Sequence, residues 1–218
     1  MIGFGKPDLG AEFLQSVPRV LTDEAVGEFR ERLVDAAEHL FASQGLEAVT
    51  MRLLAAELGV SPMTPYRYFV DKDAILAAVR TRAFNRHAAA LEAAFDAGSD
   101  PFQRAASVGR AYLDFALGHP EAYKLMFDVK QPSADAYPEL VTAGARSRAT
   151  MTAHVKAMID GGVLTGDADL IGHMFWSALH GAIQLQLAGL LAPPFEAERL
   201  SREIMLTLWR GLQGAPAA

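Results

Sequence analysis

The chain has 218 residues, 51% of them apolar and 21% charged, a globular balance with enough apolar material for one large core or two small ones. It has no cysteine, which excludes disulfides, zinc–thiolate sites and cysteine nucleophiles and fits a reducing compartment. The net charge of −6 argues against a uniformly basic nucleic-acid surface, so any such surface must be local.

Alanine and leucine dominate, and apolar residues recur every three or four positions, so the chain is expected to be all-α. Residues 1–21 carry Gly3, Gly5, Pro7, Gly10 and Pro18 and read as an irregular arm. Their opening lacks a basic start followed by an apolar run, so no secretory signal is expected and the location is taken as cytoplasmic. Thr22 is an N-cap for a helix with Phe29, Leu33, Ala37, Leu40 and Phe41 on one face, ended by Gly45. Thr50 caps a short second helix that stops at Gly59, and Ser61 caps a third. Asp71 caps a long helix over 71–97, with Ile75, Val79, Phe84, Leu91 and Phe95 in its stripe.

Asp100-Pro101 is a cap followed by proline at the first helical position, and it opens a helix that ends at Gly118. A short helix with Tyr123, Met126 and Phe127 follows, then a loop carrying Pro132 and Pro138. A helix over 139–160 closes at Gly161-Gly162. The helix over 167–191 is apolar nearly all round and therefore expected to be buried on several sides. Its most apolar stretch, 181–191, is broken by Gln184 and Gln186 and is too short to span a membrane. The last helix covers 195–212, and 213–218 reads as a frayed tail. The domains are therefore a helix-turn-helix unit over 22–70, a linking helix over 71–97 and a helical ligand-binding and dimerisation domain over 98–212.

The segment VTMRLLAAELGVSPMTPYRYF has the anatomy of a helix-turn-helix. A capped helix ends at Gly59, Val60 plugs the turn, and a second capped helix begins at Ser61. In such a unit the second helix enters the major groove and reads base edges from its N-terminal end. Pro62 falls at the first helical position, where its missing N–H costs nothing. Pro65 gives up only the first ladder bond, so an α-helix is still expected.

Thr50 and Thr64 put short donors near helix ends, with Ser61 at the cap beside them. Tyr66 and Tyr68 carry phenolic donors on stiff side chains, and Lys72 opens the next helix. These groups suit phosphate contacts, which set register. Arg52 and Arg67 are the expected base readers, since arginine can bond guanine bidentately. Pro62 and Met63 offer apolar contact to thymine methyls.

Over Arg30 to Leu76, the run AAEHLFASQGLEAVTMRLLAAELGVSPMTPYRYFVDKDAIL resembles the DNA-binding domain of TetR-family regulators. The resemblance rests on Phe41, Gly45, Thr50, Leu53-Leu54-Ala55, Gly59-Val60-Ser61, Thr64, Tyr66, Tyr68-Phe69, Lys72 and Leu76. Met63 stands where the family commonly has a small residue. Pro65 replaces a larger apolar one, which implies a lost anchor. In the second half, Trp176, His180 and Gly181, together with HPEAYKLMF, are similar to a Trp-His-Gly subgroup of that family.

The second half carries no defensible catalytic constellation, and neither a cofactor nor a metal is expected. His154, His173 and His180 lack the three or four ligands with a second shell that a metal site needs. Phe102, Tyr112, Phe115, Phe127, Met151, Met158, Phe175, Trp176 and His180 are the candidate lining of an apolar ligand pocket, with Tyr112 and His180 as polar handles. Leu179, Ile183, Leu187, Leu200, Ile204, Leu208 and Trp209 are the candidate dimer interface.

The expected function is a homodimeric, ligand-responsive regulator, released as a repressor from a pseudo-palindromic double-stranded DNA operator by a small, largely apolar effector. No membrane partner is expected. The alternative is a helical small-molecule-binding protein or enzyme with a degenerate helix-turn-helix.

Overall fold

A computed structural model describes residues 22–127 and 136–214. The irregular arm, most of the loop around Pro132 and the last four residues of the expected tail lie outside them. Eight α-helices make up the described chain. They are α1 (Asp23–Gln44), α2 (Met51–Glu57), α3 (Lys72–Ala97), α4 (Pro101–Gly118), α5 (Pro120–Phe127), α6 (Pro138–Asp160), α7 (Ala168–Leu187) and α8 (Ala197–Gly214). The caps fall where the sequence puts them. The side chains of Thr22, Thr50, Asp71 and Asp100 each accept a backbone N–H from the first turn that follows.

Several boundaries differ from expectation: the helix expected over 167–191 stops at Leu187, and the last helix begins at Ala197 rather than 195. Pro138 opens α6 rather than ending a loop, because proline suits the first helical turn. Helix α8 runs on to Gly214, two residues into the expected tail.

The third helix of the N-terminal unit forms as one 3-10 turn, Pro65–Arg67, and not as an α-helix from Ser61. The two prolines explain this. With Pro62 and Pro65 lacking donors, Thr64 N–H closes a tight turn onto the Ser61 carbonyl at 2.8 Å, and the N–H groups of both Tyr68 and Phe69 converge on the Pro65 carbonyl at 3.0 Å. Pro65 is itself buried, so it is an anchor in its own right rather than a lost one.

Two buried clusters organise the fold. The first joins Leu33, Leu40 and Phe41 of α1, Leu54 of α2, Phe69, and Ile75 and Val79 of α3. The second gathers Phe84 and Leu91 of α3 with Tyr112 and Phe115 of α4, Tyr123 and Met126 of α5, and Leu179 and Ile183 of α7. Leu125 of α5 belongs to the first cluster, so α3 and α5 each contribute to both. At 26 residues, α3 is about 39 Å long. Ion pairs fix α1 against it: Arg82 reaches Asp35 and Glu38, and Arg86 shares Glu38.

Candidate functional site

Two regions hold the expected site residues. The first is the end of the N-terminal unit. Thr50 accepts the Leu53 N–H at 3.1 Å as a cap, which leaves its own hydroxyl proton free to donate. Ser61 is used in the same way, by Met63 N–H at 3.4 Å. Arg52, Ser61, Pro62 and Arg67 are exposed and Thr64 half-buried. Met63 and Tyr66 stand out at 68% and 49% exposed, with Val70 beside them at 76%. Large apolar groups held in water at the tip of a turn suit contact with another surface.

Tyr68 and Lys72 are more constrained than the sequence indicates. The Tyr68 ring packs 4.6 Å from that of Phe29. Lys72 Nζ donates to the Leu46 carbonyl at 2.9 Å. Arg30, a residue not among the expected set, ties the 3-10 turn down from α1. Its guanidinium donates to the Tyr68 carbonyl at 2.8 Å and lies 4.0 Å from the Phe69 ring centroid. Charge alone gives no signal for this role.

The second region is the C-terminal core, where the expected ligand residues divide between two cavities. An inner cavity of about 350 Å³ is enclosed by α3 to α7 and includes Tyr112, Phe127, Met151 and Trp176 from the expected set, with Phe84, His87 and Ser147. An outer cavity of about 420 Å³ lies between α4, α6, α7 and α8 and includes Phe102, Met151, Met158 and Phe175, with His154 and Ser201. Phe115 and His180 line neither. Phe115 is core, its ring 4.9 Å from that of His87.

His180, half-buried, instead joins a polar chain and has Gln184 Nε2 3.4 Å from its own Nε2. Trp176 Nε1 donates to the Tyr112 hydroxyl at 2.9 Å. That hydroxyl is 2.8 Å from the Tyr123 hydroxyl, which is 2.6 Å from His180 Nδ1. An indole N–H can only donate. Either tyrosine hydroxyl can donate to the other, and the sense of the chain follows the His180 tautomer. Burial pushes the Tyr112 hydroxyl up to about 12, so it stays neutral.

His87 and Ser147 are polar residues in core positions, and that misplacement is the signal by which sequence could have found them. His87 Nδ1 lies 2.8 Å from Ser147 Oγ, and its Nε2 is buried without a partner.

The expected interface residues Leu179 and Ile183 are 3% and 0% exposed and sit in the protomer's own core. They cannot meet a partner, because their face of α7 is turned toward α4. Leu187 and Leu200 pack partly on that core, and Leu208 and Trp209 on a smaller cluster with Met158 and Phe175. Ile204 is half-buried. The outward face of α7 is different. It carries Leu170, Met174 and Leu185, at 61%, 37% and 40% exposed, in register with Ser177 and Gly181, and a Cβ added at Gly181 would meet nothing within 4 Å.

Comparison with known proteins follows the same division. Residues 33–79 match the model for bacterial regulatory proteins of the tetR family, and residues 105–208 that for tetracyclin repressor-like C-terminal domains. The HTH-type transcriptional repressor KstR of Mycobacterium tuberculosis is 39% identical over 84 residues, 38% of this chain and 38% of the repressor. The chain thus aligns with under half the length of that relative. A protein of unknown function from Rhodococcus sp. RHA1 superposes with a TM-score of 0.75 at 32% identity, covering 84% of this chain and 94% of the other. The TetR-family regulator PfmR of Thermus thermophilus does so with 0.65 at 25% identity, covering 83% and 98%.

Burial pushes the His87 imidazole from its ordinary 6.5 down to about 4. Its folded value lies below its unfolded one, so its contribution is whole above pH 6.5 and is lost as pH falls toward 4. The full loss is on the order of 3 kcal/mol. Thermal melts across that window should show stability falling with acid, and His87→Gln should flatten the fall. An unchanged acid slope in the variant would remove His87 from the account. His154 is also pushed down by burial, so part of the slope should persist.

Proposed function

The chain belongs to the TetR family of bacterial regulatory proteins, and from that premise we propose that it is a homodimeric repressor of transcription released from its operator by a largely apolar effector. It is a regulator rather than an enzyme and works in the cytoplasm. Among the described residues no helix is long and apolar enough to cross a membrane.

The observation that carries this reading is the sharing of α3 and α5. Phe84 and His87 of α3 and Met126 and Phe127 of α5 line the inner cavity. Ile75 and Val79 of α3 and Leu125 of α5 lie in the helix-turn-helix core. A ligand that fills the inner cavity pushes on the same two helices that seat the reading turn. The ligand acts only through its preference for one arrangement, and a coupling of about 1–3 kcal/mol is ordinary. The repressor sign follows the named activity of KstR, whose match to this chain covers 84 residues.

On DNA, Thr50, Ser61, Thr64, Tyr66, Tyr68 and Lys72 take phosphate or near-backbone positions. Arg52 and Arg67 read bases, and Pro62 and Met63 meet apolar base edges. Lys72 keeps its bond to Leu46 and donates a second proton outward, since an ammonium has three. The acidic protein presents few phosphate partners, so two half-sites are needed and binding weakens with salt.

The dimer forms on the outward seam of α7, with Ile204 of α8 beside it. Gly181 allows the partner helix to approach closely, and the two-fold axis places the two reading turns on one face of the duplex.

In a gel-shift with the operator selected from genomic fragments, Arg67→Ala should weaken specific binding by about 1–3 kcal/mol. Random DNA should be much less affected. Equal loss on both would make Arg67 a phosphate contact instead. Met174→Glu should convert the dimer to monomer in analytical ultracentrifugation while the helical circular dichroism is kept. A Met174→Glu protein that stays dimeric would move the interface elsewhere.

A further inference from the structure

The inner and outer cavities have one lining residue in common, Met151. It is 4% exposed and stands on α6, whose successive turns form the floor of both cavities. Gly144 and Ser147 lie under the inner one, His154 and Met158 under the outer. From Gly144 to Met158 that floor extends about 21 Å. Each cavity alone is near the lower end of the usual ligand-pocket range of roughly 300–1,000 Å³, and the two together fall well inside it.

We infer that the two cavities are one chamber partitioned by the Met151 side chain, and that it takes a long, unbranched aliphatic carboxylate. This rests on the reading of the inner cavity as the effector site. Methionine is unbranched and has three rotatable bonds, so it can swing aside at little cost. The opening it leaves has the width of its own thioether chain, which matches a polymethylene chain and excludes a fused ring. The walls on both sides are apolar, with Phe84 and Leu140 in one cavity and Leu113 and Met205 in the other. At the rim of the inner cavity Arg148 is exposed and makes no ion pair with the described residues. Of the two outer arginines, Arg110 is already held by Glu198 and Arg202 lies 3.7 Å from Glu203. The carboxylate therefore sits at Arg148, and the tail passes Met151 toward α8.

The protein contains two tryptophans, and each lines a different cavity: Trp176 the inner and Trp209 the outer. The test is a titration of the full-length dimer, without DNA, with straight-chain saturated acids from hexanoic to hexadecanoic. Trp209→Phe and Trp176→Phe proteins isolate the two fluorescence signals. Hexanoic acid should perturb Trp176 alone. Hexadecanoic acid should perturb both tryptophans at one common midpoint and bind more than about tenfold tighter, because each added methylene is buried. Met151→Phe should abolish the advantage of the long acid over the short one and silence Trp209. Met151→Ala should keep both, which separates blockage from misfolding. Hexadecanol should bind more weakly than the acid, and Arg148→Ala should erase that difference.

Separate midpoints for the two tryptophans, equal affinity for short and long acids, or an unchanged ratio in Met151→Phe would each overturn the inference. Because no DNA is present, failure of operator binding would count against the regulator reading and leave this result standing.

Discussion

Helix α3 has to satisfy two cores at once. Its first turns bury Ile75 and Val79 against α1 and α2, and its middle buries Phe84, His87 and Leu91 against α4 and α6. Packed interiors are stiff on the scale of a methyl group, so a displacement at one end of a continuous helix is not absorbed along its length. The ion pairs of Arg82 and Arg86 with Asp35 and Glu38 add polar contacts between α1 and α3. Arg80, 1% exposed on the same helix, donates to the Met126 carbonyl at 3.2 Å and locks α5 to the assembly. On the proposed reading, α3 and α5 are the route by which a ligand beside Phe84 and Met126 acts on the 3-10 turn.

That turn is short and owes little to regular helical bonding. A single 3-10 turn has few internal hydrogen bonds, and its placement comes from ties to its neighbours. Pro65 and Phe69 are buried beneath it, Arg30 holds the Tyr68 carbonyl from α1, and Lys72 holds Leu46. Proline also lowers the entropy of the unfolded segment, which partly offsets the missing donors. The polar chain from Trp176 to His180 plays a comparable part in the C-terminal domain. It ties α4, α5 and α7 together through side-chain hydrogen bonds.

Much of this is legible in the sequence because caps and periodicity are local signals. Thr22, Thr50, Asp71 and Asp100 each declare a helix start, and Gly45, Gly59 and Gly98 mark where helices end. The third helix differs in kind from its expectation, since two prolines three residues apart act jointly on one turn and neither would do so alone. The proposed dimer seam cannot be read from the sequence of α7 because that helix is apolar on nearly every face. Only the packing of Leu179 and Ile183 against α4 assigns the inward side and leaves Leu170, Met174 and Leu185 outward. The candidate lining residues divide between two cavities according to how α3 to α8 pack, a tertiary fact with no local trace. His87 is legible as a polar residue between Phe84 and Leu91 in the apolar stripe of α3, but its pairing with Ser147, 60 positions away, is not.

The central claim is that filling the C-terminal chamber moves the two reading turns of the dimer relative to each other. With no native cysteine, a single Glu57→Cys substitution at the exposed end of α2 puts one spin label on each reading head. Pulsed electron resonance then gives the distance between them. The account predicts that hexadecanoic acid shifts this distance distribution and that Met151→Phe suppresses the shift. An unchanged distance in a protein that binds the acid and leaves its operator would contradict it.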